Sequence, residues 1–235
     1  MRFDAELVEG TLVSRPQRFL AWVRLGTGKA KKLECFVPNF GKMEGLMVPG
    51  CTVLVKKGTS TFEDRRTSHD IVLVRKGRAL VAIDPRISVR LVEEAVNGGK
   101  VGLLKGYKVQ EKGLEMLGSR FDLLLKGRKG QMVLDIRTCI NVDEGRTARF
   151  PDVQSQEDAA QMRNLVEATR RGYAAGIAFV VQRGDARAFS PNDAVDPILG
   201  QSLRIAAARG VKVVAFDCRV NKKEVRIDGA LPVKF

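Results

Sequence analysis

The chain has 235 residues, 44% hydrophobic and 29% charged, an ordinary globular composition with enough apolar content for one large domain or two small ones. Lysine and arginine number 41 against 27 acidic residues, a formal net charge of +14; such a surplus attracts phosphate polymers by counterion release and favours nucleic acid over other acidic partners. The composition argues against a membrane span, because no apolar run nears the ~20 residues one needs, and against a zinc site or disulfide framework, because Cys35, Cys51, Cys139 and Cys218 are widely spaced with no C-x-x-C pair.

The first third reads as short strands broken by glycine and proline. Residues 7–8, 11–13, 19–25, 32–37, 52–55, 70–74 and 79–83 are β-favouring. Gly26-Thr27-Gly28-Lys29, Pro38-Asn39, Val48-Pro49-Gly50 and Lys76-Gly77 punctuate them. This pattern predicts an OB-like barrel, a fold that often binds oligonucleotides. The single histidine, His69, follows the polar stretch Arg65-Arg66-Thr67-Ser68, where a surface role is expected. Ser–His and Cys–His catalysis would all depend on it.

Near Asp84-Pro85 the period changes. Ile87, Leu91, Val92, Ala95 and Val96 recur at helical spacing, and Asn97-Gly98-Gly99 ends the helix. The expected division is a barrel over 1–84 and an α/β domain over 85–235. Within the second part, residues 119–126 and 131–140 read as a hairpin joined by Gly127-Arg128-Lys129-Gly130. A helix is expected over 155–171 and a buried strand over 176–181. A second helix is capped by Asp196, with Pro197 in its first turn and Arg209-Gly210 at its end, and another strand covers 211–216. A mixed, partly parallel sheet follows.

The hairpin carries the residues with chemistry. Side chains alternate along a strand, so Asp135 and Arg137 face away from Met132, Leu134 and Ile136. In the preceding strand Asp122 faces away from Phe121, Leu123 and Leu125. In the expected register Asp122 meets Asp135. Two adjacent carboxylates repel unless a cation lies between them, and Mg²⁺ or Mn²⁺ suits one or two carboxylates plus water and phosphate. Glu94, at the border of the apolar face of the preceding helix, is a third candidate ligand. The alternative is an ordinary solvated hairpin face with an Asp135–Arg137 ion pair.

Several segments, in order along the chain, resemble the sugar fermentation stimulation protein A family. They are Arg18-Phe19-Leu20-Ala21, Pro38-Asn39-Phe40-Gly41-Lys42-Met43, Gly45-Leu46, Pro49-Gly50, Arg90-Leu91-Val92-Glu93-Glu94-Ala95, Ser119-Arg120-Phe121-Asp122, Phe150-Pro151-Asp152, Phe179-Val180-Val181-Gln182-Arg183 and Phe189-Ser190-Pro191-Asn192-Asp193. The resemblance implies an OB-like barrel followed by an α/β domain of the PD-(D/E)xK nuclease type, DNA binding, and a role in regulating sugar metabolism genes. It places Asp122 at the family's metal-binding aspartate, and Asp135 and Arg137 on the following Glu-x-Lys element. Arginine for lysine matters there, since arginine stays protonated and makes a poor general base, though it can hold phosphate or developing charge. Further departures fall at Glu157-Asp158-Ala159-Ala160-Gln161, where the family is basic, at Phe36, where it has histidine, and at Phe40, where it has threonine.

The expected phosphate contacts are Arg18, Lys42, Arg128, Lys129 and Arg183. Phe19, Trp22 and Phe40 are candidate stacking residues, although core packing is the stronger expectation for Trp22. Three readings stand: a cytoplasmic DNA-binding protein (RNA being the other polymer) with doubtful catalysis, an active Mg²⁺- or Mn²⁺-dependent nuclease using Asp122, Asp135 and Arg137, and a scaffold for protein partners.

Overall fold

The computed structural model describes residues 1–26, 32–58, 67–99, 101–128 and 130–235. Strands β1 (Val8–Gln17), β2 (Leu20–Leu25), β3 (Lys32–Phe36), β4 (Thr52–Lys57), β5 (His69–Lys76) and β6 (Ala79–Ala82) form one sheet in the order β3-β2-β1-β4-β5-β6. A parallel pairing of β3 with β5, Cys35 opposite His69 and Phe36 opposite Asp70, closes strands β1 to β5 into a barrel. Its interior holds Leu12, Val23, Val53, Val55, Ile71 and Val74, all 1% exposed or less. Burying a side chain of this size contributes roughly 1.5–3 kcal/mol, and β4 and β5 are apolar on both faces because the outer one is covered by the second unit.

The second unit opens with helix α1 (Ile87–Asn97), followed by β7 (Tyr107–Met116), β8 (Ser119–Gly127), β9 (Gly130–Cys139) and β10 (Thr147–Phe150). Then come α2 (Gln156–Arg170), β11 (Ala174–Val181), β12 (Ala188–Pro191), α3 (Pro197–Ala208), β13 (Lys212–Val220) and β14 (Val225–Leu231). The main sheet runs β14-β13-β11-β9-β8-β7, with β9, β11 and β13 parallel. α1 covers one face through Leu91 and Val92, packed with Leu134 and Phe216. α2 and α3 cover the other through Met162, Leu165 and Leu203, packed with Val133 and Phe179. Both helices begin as expected: Ser155 and Asp196 accept hydrogen bonds from the amides of Asp158 and Leu199. Strands β7, β10, β12 and β14 were not expected from the sequence. Among the described residues no helix is long and apolar enough to cross a membrane.

The two units share a core. Leu54, Leu73 and Ala82, on the outside of the barrel, pack with Leu91 and Phe216. Gln182 stitches the junction, its carbonyl oxygen accepting from the Ala82 amide and its side chain donating to the Asp84 carbonyl and the Ser88 hydroxyl. Residues 1–3 leave the barrel and pair with the second unit: the Phe3 amide donates to the Lys223 carbonyl, and the Val225 amide to the Met1 carbonyl.

Candidate nucleic-acid interface

The β8–β9 ladder runs from Gly127 opposite Gly130 to Leu123 opposite Leu134. Beyond that pair the Asp122 carboxylate takes the Ile136 amide at 2.7 Å. One further step of the register sets Asp122 beside Asp135, near enough that each carboxyl feels the other's charge. Phe121 departs from the expected pattern: it packs with the α2 side of the sheet, while Leu123 and Leu125 face α1.

The face carrying Asp135 is not solvated, because α2 lies on it. Asp135 is 2% exposed. Its Oδ1 accepts from Gln161 Nε2 at 3.3 Å, and Gln161 also binds the Arg120 carbonyl and Ser119. Arg137 spans two carboxylates, with Nε donating to Asp158 Oδ1 at 2.8 Å and Nη1 lying 2.7 Å from Asp135 Oδ2. Nη1 also donates to the Ile136 carbonyl, and Asp135 Oδ2 is buried without a well-aligned hydrogen-bond donor. Arg137 Nη2 makes none among the described residues.

Burial dominates the acidity of the pair. It raises Asp135 to about 7; Arg137 opposes the rise, and Asp122 and Asp158 add to it. Asp122 is raised as well, chiefly by burial, against the pull of the Ile136 amide and Arg137. Near neutral pH the two carboxyls therefore tend to keep one proton between them.

This donor set suits a hard divalent cation. Two carboxylates meet, one oxygen is buried without a hydrogen-bond donor, and water and phosphate oxygens would complete the shell. Arg137 competes with such an ion for Asp135 Oδ2. Among the described residues no group of three or more His, Cys, Asp or Glu side chains converges on a metal position. Glu94 does not join the pair. Its carboxylate binds the Met1 amine at 2.7 Å and Arg90 at 3.0 Å, because the outward side of α1 meets the chain's first residues.

Asp122, with Asp135 buried behind it, opens into a groove of about 940 Å³ between barrel and second unit, lined also by Arg18 and Phe40 from the barrel and by Arg86, Arg137 and Arg149. Arg86 is bridged to Asp84 and Arg149 to Asp143. Arg18 has no carboxylate partner among the described residues. The remaining expected phosphate contacts lie elsewhere. Lys42 is exposed on a neighbouring cavity, 3.9 Å from Glu44. Arg183 lines that same cavity but is 6% exposed, bound to Asp185 through two nitrogens and to the Ile140 carbonyl. Arg128 sits at the hairpin tip, six residues from Asp122 and so roughly 20 Å along the strand. Lys129, the turn at 27–29 and Arg65-Arg66 lie outside the described residues. Trp22 is half-buried. Asp158 and Gln161, read from the sequence only as departures from a basic stretch, turn out to hold Arg137 and Asp135. Their i, i+3 spacing on the predicted helix was the available signal.

Residues 13–83 match the family described as SfsA N-terminal OB domain, and residues 86–224 match Sugar fermentation stimulation protein RE domain. A sugar fermentation stimulation protein homolog of Geobacter metallireducens is 39% identical over 235 residues, covering 99% of each chain. A homolog of Clostridium acetobutylicum is 32% identical, again over 99% of each. The solved structure of Pyrococcus furiosus SfsA in complex with Ca²⁺ superposes with a TM-score of 0.87 at 21% identity, over 100% of this chain and 98% of that one.

Proposed function

Because this chain belongs to the sugar fermentation stimulation protein family, we propose that it binds nucleic acid, DNA foremost, along the groove between its OB barrel and its RE domain. The observation that carries the reading is the convergence in one groove of arginines from both units, Arg18 against Arg86, Arg137 and Arg149, beside Asp122. Arginine recognises phosphate through a planar fork of donors. Contacts of this kind supply affinity and register with little reading of base sequence. The family's role in sugar metabolism would then be exercised on the DNA of those genes.

Asp122 and Asp135 are the residues that would hold a divalent ion, Mg²⁺ or Mn²⁺, which when bound would supply Lewis-acid charge neutralisation at a phosphate. The chain's own residues do less for hydrolysis. Arg137 stands where a lysine would orient or activate water, and it keeps its proton at every relevant pH. Anchored by Asp158 and the Ile136 carbonyl, it is suited to present Nη2 to a phosphate oxygen. Binding without efficient cleavage is the reading this favours. The buried Asp135 oxygen without a donor supports a second one, an ion-dependent nuclease of low activity.

The test is a mobility-shift series on DNA at increasing salt. Affinity is expected to fall linearly on logarithmic axes, and Arg18→Ala is expected to reduce the slope by about one contact. Absence of binding at low salt would overturn the proposal. Incubation of DNA and RNA with Mn²⁺, with Asp122→Ala as control, separates the two readings.

A further inference from the structure

The loop after β3 is clamped in an unusual way. Val37, Pro38 and Asn39 are buried, Phe40 is 54% exposed, and Gly41 is buried again. The Asn39 side chain donates to the Ile83 carbonyl at 2.6 Å and accepts from the Gly41 amide at 2.8 Å. Arg15 gathers the carbonyls of Asn39, Gly41 and Lys42 within 3.3 Å. A Cβ on Gly41 would collide with Asp152 Oδ2 of the second unit, so the loop lies tight against that unit and has no room for a side chain there. The polar groups that fix this loop are spent inward on the protein, while its one aromatic side chain is held out in the groove. Phe19, similarly exposed at 49%, stacks on Phe36 with ring centroids 6.2 Å apart; Phe40 stacks on no ring among the described residues.

The Phe40 ring, more than half exposed, stands in a groove that also carries cations. Arg18 and Arg137 line the same groove. We infer that Phe40 is the stacking platform for an unpaired base, so that the groove takes single-stranded nucleic acid, or the frayed end of a duplex, in preference to an intact duplex. This rests on the nucleic-acid reading above and specifies the form of the polymer. Every base has a π-face but shows it only when unstacked. The phosphates on either side of the stacked base would be met by Arg18 and Arg137 Nη2. A base-paired duplex keeps its bases inside and offers Phe40 no partner.

The experiment compares a fluorescein-labelled single strand of about 16 nucleotides, the upper site size of an OB fold, with the same sequence as a blunt duplex. Anisotropy is read at low salt with EDTA, for the wild type, Phe40→Ala and Phe40→Trp. The wild type is expected to bind the single strand at least about fivefold more tightly, the factor that ~1 kcal/mol of stacking supplies. Phe40→Ala is expected to lose that margin by weakening the single strand alone, and Phe40→Trp to keep it. A 2-aminopurine placed in the strand should be quenched by the wild type and not by Phe40→Ala. Equal or tighter duplex binding by the wild type, or unchanged single-strand affinity in Phe40→Ala, overturns this inference and leaves the groove as a nucleic-acid site. Failure of the wild type to bind either polymer removes both.

Discussion

The Nη1 atom of Arg137 lies 2.7 Å from Oδ2 of Asp135 and also donates to the Ile136 carbonyl, while Oδ2 itself has no well-aligned donor. Asp135 is therefore neutralised by proximity without being fully satisfied. Its Oδ1 is held by Gln161, and its neighbour Asp122 is held by a backbone amide. Asp135 is buried and Asp122 half-buried, and burial raises both carboxyls despite Arg137, which decides how the pair should respond to protons, ions and substitution.

The response to pH follows from the raised acidity of Asp135, about 7 in the fold against roughly 3.9 in an unfolded chain. Between those values the folded chain binds more protons than the unfolded one, so this group's contribution to stability falls as pH rises through the window from about 4 to about 7. Asp135→Asn carries no such titration. Thermal melts of both proteins across that range should show the wild type losing several degrees relative to Asp135→Asn, with the difference levelling off above about pH 7. Parallel curves would refute the assignment.

A divalent ion should act on the same pair. At about pH 7.5 Mn²⁺ is expected to raise the melting temperature of the wild type, because an ion bound only by the folded state stabilises by mass action. Asp122→Asn and Asp135→Asn should each lose most of that increment, and Glu94→Gln should keep it. A Glu94→Gln protein that no longer responds to Mn²⁺ would restore Glu94 as a ligand.

Removing Arg137 should be costly. Arg137→Met leaves Asp135 and Asp158 without their shared cation, and breaking a buried pair from one side typically costs about 3–5 kcal/mol. Urea denaturation should place the loss toward the low end, since the arginine side chain keeps 24% of its surface exposed. A double variant, Arg137→Met with Asp158→Asn, should recover part of it. No recovery would mean that Asp158 is not a partner in energy.

Asn39→Ala tests the clamp beneath Phe40. It deletes two buried hydrogen bonds and strands the Ile83 carbonyl, so a loss of about 1–3 kcal/mol is expected. In a protein still folded at the assay temperature, single-strand affinity should drop together with stability, because Phe40 is no longer held in place. Retained affinity would show that loop rigidity is immaterial to binding.

Most of the fold could be read from local pattern. The short apolar runs at residues 52–55 and 70–74, broken by turn residues, mark barrel strands. The 3.6-residue recurrence from Ile87 to Val96 selects a helix, and Ser155 and Asp196 mark helix starts by the chemistry of their side chains. The carboxylate pair was legible for the same reason, since strand alternation and a short hairpin fix where Asp122 and Asp135 meet. β7 and β14 are edge strands whose alternation, Tyr107 and Val109 then Leu114 and Met116, Val225 then Ile227, is short and interrupted by bulges and glycine.

The sequence by itself determined most of the elements, the two-unit layout and the hairpin that carries two aspartates, because each rests on interactions a few residues apart; β7, β10, β12 and β14 were the exceptions. Tertiary structure alone decided what surrounds those aspartates. α2, some twenty residues downstream, buries Asp135 and supplies Asp158 and Gln161. The barrel rim, about a hundred residues upstream in the chain, brings Arg18 and Phe40 over the same groove. Strand alternation states that a face is polar; only packing between distant segments states whether water, a helix or another domain lies against it. That difference turned an apparently solvated ion pair into a buried, proton-holding site, and set Glu94 and Arg183 to structural duties instead.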